Sequence, residues 1–121
     1  MLSLIFQTAL EVKVKVNELA ETLDLKTLTS SSDVEINGVL LTDIVSDVVT
    51  HAQPGNLVVT AQIHSTFVSA AKLADACAIV FTLGREPTPD VLRLAEKAGI
   101  SLFCSKMNSF ELAGKLKTLG F

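Results

Sequence analysis

An α/β fold is predicted here, three layers deep, with a mostly parallel sheet of about five strands and helices on both faces. Three observations predict it. From about Asn17 onward, short β-branched runs alternate with longer amphipathic runs. Most of the amphipathic runs begin at a residue suited to capping a helix. The run Cys77–Phe81 is apolar at every position, as a strand covered on both faces must be. Short strands separated by helices need crossover connections, and crossovers produce parallel pairing.

The elements follow in order. Met1–Leu10 is apolar at Leu2–Phe6 but has no basic residue ahead of that run, so it reads as a leading strand or tail rather than a secretory signal. It is also a candidate partner contact. Val12–Val16 alternates like an edge strand guarded by Lys13 and Lys15. Asn17 precedes a helix over Glu18–Leu25, with Leu19, Ala20 and Leu23 at helical spacing, and Lys26–Leu28 reads as a short strand. A polar turn at Thr29–Asp33 leads to a second strand, Ile36–Leu41. Thr42 caps a helix from Asp43 to His51, which Gln53-Pro54-Gly55 ends, and Leu57–Thr60 is the next strand. Ser65 or Thr66 starts a helix running through Lys72 and Ala74, followed by the strand Cys77–Phe81. Thr88 and Pro89 form a cap with proline in the first turn, opening Asp90–Ala98, and Gly99 stands where a left-handed C-terminal cap belongs. Ile100–Cys104 is the last strand. Asn108 with Glu111 three residues on makes a capping box for a final helix through Leu116.

The chain has 121 residues with no repeat and no linker, which predicts one domain over residues 14–121 behind a tail or leading strand at 1–13. Ten Lys and Arg against 13 Asp and Glu leave a formal charge of −3, and there is no Trp or Tyr. Such a chain lacks the basic footprint and most of the stacking platforms of nucleic-acid binding. Polar residues such as Gln7, Asn56 and Lys72 interrupt every apolar stretch, so no membrane span is expected. Cys77 and Cys104 lie far apart, without metal-ligand spacing. They are expected to be reduced, buried thiols of a cytoplasmic protein with no metal and no cofactor.

In open parallel sheets, ligands bind beyond the carboxyl ends of the strands, where helix N-termini present unpaired N–H groups. The segment Thr60–Thr66 places Gln62, His64, Ser65 and Thr66 at such a point. His64 has the chemistry of a general base; equally, it is a surface residue beside a Ser65 cap. In Thr82-Leu83-Gly84-Arg85-Glu86-Pro87-Thr88, Arg85 offers a guanidinium that can fork onto phosphate or carboxylate, and Gly84 lets the backbone approach. Arg85 and Glu86 are alternatively solvated, or paired across a dimer contact. Asp43 and Asp47 stand four apart on one expected helix face, placed to share a cation or, more simply, to complement the helix dipole. His51 suits the carbonyl end of the same helix. Phe67, Phe81, Phe103 and Phe110 fall at core-facing positions of their elements. Neither the Gly-x-x-x-x-Gly-Lys-Ser/Thr phosphate loop nor Gly-x-Gly-x-x-Gly occurs, and no Ser/His/Asp or Cys/His set is defensible, so no catalytic residue is expected.

Several of these stretches, taken together, resemble a DRTGG domain: Asn17-Glu18-Leu19-Ala20, Pro54-Gly55-Asn56-Leu57-Val58-Val59-Thr60, Thr82-Leu83-Gly84-Arg85-Glu86-Pro87 and Phe110-Glu111-Leu112-Ala113. Domains of that family are similar to the N-terminal domain of HPr kinase/phosphorylase, and they accompany CBS domains in regulated pyrophosphatases. The resemblance implies a small α/β regulatory or dimerisation module, usually homodimeric. Where the family has an Asp-Arg pair, this chain has Gln62-Ile63-His64-Ser65; where it has Thr-Gly-Gly, this chain has Thr82-Leu83-Gly84. The expected function is a non-catalytic regulatory homodimer sensing a nucleotide or phosphorylated metabolite. Its expected ligand residues are Gln62, His64, Ser65, Thr66, Thr82, Gly84, Arg85, Glu86 and Asn108. The alternative is a protein-interaction subunit with no small ligand.

Overall fold

The most apolar runs of the chain become the middle of the sheet, and everything else is laid against them. The computed structural model describes residues 13–121. In chain order the elements are β1 (Val14–Lys15), a 3₁₀ turn (Val16–Glu18), α1 (Leu19–Leu23), β2 (Lys26–Thr27), β3 (Glu35–Ile36) and β4 (Gly38–Leu41). There follow α2 (Val45–His51), β5 (Asn56–Thr60), α3 (Ser65–Leu73), β6 (Ala78–Phe81), α4 (Pro89–Ala98), β7 (Ser101–Cys104) and α5 (Ser109–Thr118). The main sheet has the order β2-β7-β6-β5-β4, and β1 pairs with β3 separately. The β4, β5, β6 and β7 neighbours pair in parallel, while β2 runs antiparallel to β7, with Lys26 opposite Cys104.

Two cores sandwich this sheet, which makes the fold the expected three-layer α/β type. On one face Val58, Ile79, Phe81 and Leu102 pack against Val48 of α2, Phe67 and Val68 of α3 and Ala95 of α4. On the other, Leu57, Val59, Val80 and Phe103 pack against Leu19 and Leu23 of α1 and Leu112 and Leu116 of α5. Phe67, Phe81 and Phe103 are fully buried as expected, each contributing roughly 1.5–3 kcal/mol of transfer free energy.

Several boundaries differ from expectation, each for a local reason. Phe110 is 88% exposed rather than in the core. On α5 the inward stripe is Leu112 and Leu116, four apart, and Phe110 falls off that stripe in the first turn. The expected strand Ile36–Leu41 is broken at Asn37: Ile36 pairs with β1, Gly38–Leu41 with β5. There the Asn37 amide donates to the Pro54 carbonyl at 2.6 Å and its oxygen accepts from Asn56 Nδ2 at 3.0 Å. The helix expected from Asp43 starts instead at Val45, because the Thr42 hydroxyl accepts from the Ile44 N–H at 3.1 Å and donates to Asp47 at 3.0 Å. Asn17 lies inside the 3₁₀ turn rather than capping a helix, and α1 stops at Leu23, where Asp24 turns left-handed at φ 56°. His64, not Ser65, is the residue that precedes α3.

Most of the capping signals appear, although Thr88 precedes α4 without a side-chain cap bond. Pro89 opens α4, and Gly99 ends it at φ 73°, a left-handed value that glycine adopts without strain. The Asn108/Glu111 box opens α5. Of the expected edge strand Val12–Val16, Val14–Lys15 forms β1; Val12 and the expected tail at Met1–Leu10 lie outside the described residues. Among the described residues, no helix is long and apolar enough to cross a membrane.

Candidate functional site

Parallel pairing puts the carboxyl ends of β4, β5, β6 and β7 on one rim, and main-chain bonds carry the ladder one step past the strands. Thr42 donates to the Val59 carbonyl at 3.1 Å, Thr82 to Thr60 at 3.0 Å and Ser105 to Phe81 at 2.8 Å. The β6–α4 loop then hangs on the β7–α5 loop, with Leu83 donating to the Met107 carbonyl at 2.9 Å and Gly84 to the Ser105 carbonyl at 2.7 Å. Leu83 and Gly84 both have positive φ, 62° and 67°. Glycine adopts this conformation freely, whereas a leucine there costs about 1 kcal/mol or more. Leu83 occupies the middle position of the segment compared above with Thr-Gly-Gly.

The β5–α3 loop is fixed from two sides. Asp43 Oδ1 accepts from the Thr60 hydroxyl at 2.9 Å and from the Ala61 N–H at 2.8 Å. Opposite, Arg85 Nη1 donates to the Ala61 carbonyl at 3.2 Å. The Thr60 hydroxyl also accepts from the Gln62 N–H at 3.1 Å. Asp43 is thus a rim residue, not a residue of α2, and the pairing with Asp47 across one helix face does not occur.

The helix N-termini at this rim differ. The Asn108 side chain accepts from the Glu111 N–H at 2.8 Å, and Glu111 accepts from the Asn108 N–H at 3.4 Å, so α5 is closed by its own side chains. At α3, His64 makes no side-chain cap bond and the first turn holds no acid. His64, Ser65 and Thr66 are all exposed. Just past the end of β6 lies the Thr82 hydroxyl, fully buried and without a hydrogen-bond partner among the described residues. A buried hydroxyl left unpaired costs roughly 1–3 kcal/mol.

Of the expected ligand residues, the structure gathers Gln62, Thr82, Gly84 and Arg85 around the β5, β6 and β7 ends, beside the α3 terminus with His64, Ser65 and Thr66. It directs two elsewhere. Asn108 is engaged as a cap. Glu86 turns to the β2 side of the sheet, where both its oxygens accept from Lys26 Nζ at 3.0 and 3.1 Å. There Gly84, Glu86 and Ser105 line a hollow of about 390 Å³ with Lys26, Lys106 and Lys115. No sequence signal joins those three lysines, which come from β2, the β7–α5 loop and α5. Burial first, and then the neighbouring Glu86 carboxylate, push the Cys104 thiol up, with Lys26 opposing; its S–H donates to the Arg85 carbonyl at 3.3 Å. A larger groove, of about 560 Å³, lies along β4 and the end of α5. Its walls include Ile36, Val39, Leu116 and Phe121, which suit apolar packing more than ligand chemistry. Among the described residues, no group of three or more His, Cys, Asp or Glu side chains stands ready to hold a metal ion.

No curated protein matches the chain. Among solved structures it is similar to the CBS and DRTGG domains of the regulatory region of Clostridium perfringens pyrophosphatase, a crystal structure in complex with the activator diadenosine tetraphosphate. The match has a TM-score of 0.69 at 12% identity and covers 87% of this chain and 46% of that one. The chain therefore spans less than half the length of that relative, and at this identity the likeness shows the fold. The family model of the DRTGG domain matches residues 18–119, nearly all of the described chain. With a match of that extent, the chain belongs to the DRTGG domain family.

Proposed function

We propose that the protein is a non-catalytic regulatory module, acting as a homodimer in a reducing cytoplasm. It senses a small anionic ligand, a nucleotide or phosphorylated metabolite, at the carboxyl ends of β5, β6 and β7. The observation that carries this reading is the buried Thr82 hydroxyl, unpartnered among the described residues, at the start of the loop that bears Arg85, whose guanidinium reaches the Ala61 carbonyl in the segment leading to the uncapped α3. A guanidinium, open helix N–H groups and a spare hydroxyl together suit phosphate oxygens. The nucleotide activator of the clostridial regulatory region supports a dinucleotide as the first probe.

Thermal unfolding of the full chain against diadenosine tetraphosphate, ATP, GTP and inorganic phosphate tests the proposal. A ligand at 100 times its dissociation constant adds about 2.7 kcal/mol and moves the midpoint by several degrees or more. Thr82→Val should raise the midpoint of the ligand-free protein, since it removes the unpaired hydroxyl, and should shrink the ligand-induced shift. A flat response across the panel rejects the sensing role.

The second reading, a protein-interaction subunit without a small ligand, is favoured by Phe110 at 88% and Leu83 at 52% exposure on the same rim. Phe110→Ser then weakens self-association, measured by sedimentation, without altering the fold.

A further inference from the structure

Because β2 runs antiparallel to β7, its first residue, Lys26, stands opposite Cys104 and so reaches the rim where the parallel strands end. The chain arrives there through a tight turn. Asp24 is left-handed at φ 56°, and the Leu25 N–H returns to the Ala20 carbonyl at 2.8 Å. Lys106 comes to the same place in the β7–α5 loop. That loop is held by the Met107 N–H on the Ser105 hydroxyl at 3.1 Å and by the Gly84 N–H on the Ser105 carbonyl at 2.7 Å. Lys115 stands on α5, next in sequence to the buried Leu116. All three lysines line the hollow of about 390 Å³, their backbone positions set by three separate elements.

The charge here runs against that of the whole chain. Three lysines meet two carboxylates, Asp24 and Glu86, although the chain carries a net −3. Only Lys26 is paired: its ammonium donates to both Glu86 oxygens, at 3.0 and 3.1 Å. Lys106 and Lys115 form no ion pair among the described residues. Like charges gathered about one concavity raise its potential and concentrate counter-ions in it. Both partners of the Lys26–Glu86 pair are exposed, so water weakens their attraction. Glu86 is in effect an internal anion that a more highly charged one displaces.

The volume falls within the roughly 300–1,000 Å³ of small-ligand sites. Buried Leu23, Leu25 and Cys104 contribute to the walls, and such surroundings strengthen charged contacts. No aromatic ring lines the hollow, so nothing there stacks on a base. Ammonium groups are compact charges with three donors each, matched to oxygens on successive phosphates. We propose that this hollow is a second anion site, separate from the one around Thr82 and Arg85. It takes a chain of linked phosphate groups, held by Lys106, Lys115 and a Lys26 released from Glu86.

Calorimetric titration of the full chain with sodium triphosphate tests this, in the wild type and in Arg85→Ala, which leaves only the hollow. Binding should persist in Arg85→Ala. In that background Lys106→Ala/Lys115→Ala should weaken it by about tenfold or more, and both side chains are exposed, so the fold is retained. Glu86→Gln should tighten it severalfold by removing the competing carboxylate. Lys72→Ala, an exposed lysine of α3, should change nothing. Orthophosphate, which meets fewer ammonium groups, should bind about tenfold more weakly than triphosphate. Loss of triphosphate binding in Arg85→Ala alone overturns the proposal, because the anion then belongs to the rim. So does a loss in Lys72→Ala as large as in the double variant, which reports net charge only, or orthophosphate binding as tight as that of triphosphate. Equal affinity in wild type and Arg85→Ala supports the hollow and counts against the rim, so the two readings fail separately.

Discussion

The N-termini of α3 and α5 stand on the same rim and receive the same kind of strand end, yet one is closed and the other open. α5 spends Asn108 and Glu111 on its own backbone. α3 follows His64 with neither a cap bond nor an acid in its first turn. A helix end carries roughly half a unit of positive charge wherever its N–H groups are unmet. The lesson of the pair is that the rim is not uniformly receptive to anions: Arg85 bonds to Ala61 in the loop that leads to the open terminus, while the closed one serves stability.

The largest expected effect that would sharpen this contrast is on ligand affinity. Arg85→Ala should weaken an anion that stabilises the wild type by about tenfold or more, read by calorimetric titration, with little change in the unfolding midpoint. An unaltered dissociation constant would remove Arg85 from the site. At the closed end the pattern should reverse: Asn108→Ala should lower stability by about 1 kcal/mol in denaturant unfolding and leave ligand affinity as it was. A smaller gain of roughly 0.5 kcal/mol is expected for His64→Asp, which gives α3 the acceptor it lacks. The same change should weaken anion binding, because the new carboxylate occupies the terminus. Tighter binding in that variant would break the comparison.

A last effect concerns pH and serves as a control away from the rim. Burial pushes the Cys77 thiol up to about 11, and its S–H donates to the Gly55 and Asn56 carbonyls at 3.3 Å. The folded protein therefore retains this proton where the unfolded chain releases it. Stability from this group is complete below about pH 9 and declines as pH rises toward 11. Urea midpoints at pH 8 and 10 should show that decline, and Cys77→Ala should flatten it.

Much of this architecture was legible because it depends on local chemistry. Proline at the start of α4, glycine at its end and the Asn108/Glu111 box act within a few residues, and the uniform apolarity of Cys77–Phe81 leaves a buried central strand as its natural place. What escaped depends on contacts distant in sequence. The direction of β2 is decided by its partner β7, not by its own two residues. Asp43 reads as a helix acid until β5 brings Thr60 and Ala61 to it. The lysines at positions 26, 106 and 115 meet only in the folded chain. Phe110 carries the commonest signature of a core residue, and only the phase of α5, set by Leu112 and Leu116, turns it outward.

The two bonds by which the β6–α4 loop hangs on the β7–α5 loop make the rim a linkage with little independent play. A displacement of the Leu83–Gly84 backbone must either break those two bonds or drag Ser105–Met107 along. The second course shifts the start of α5, and with it the bare ring of Phe110. On the proposed reading, an anion that moved this loop would make itself felt as a shift of an apolar side chain on the outside of the domain, a form that a neighbouring protein surface could register.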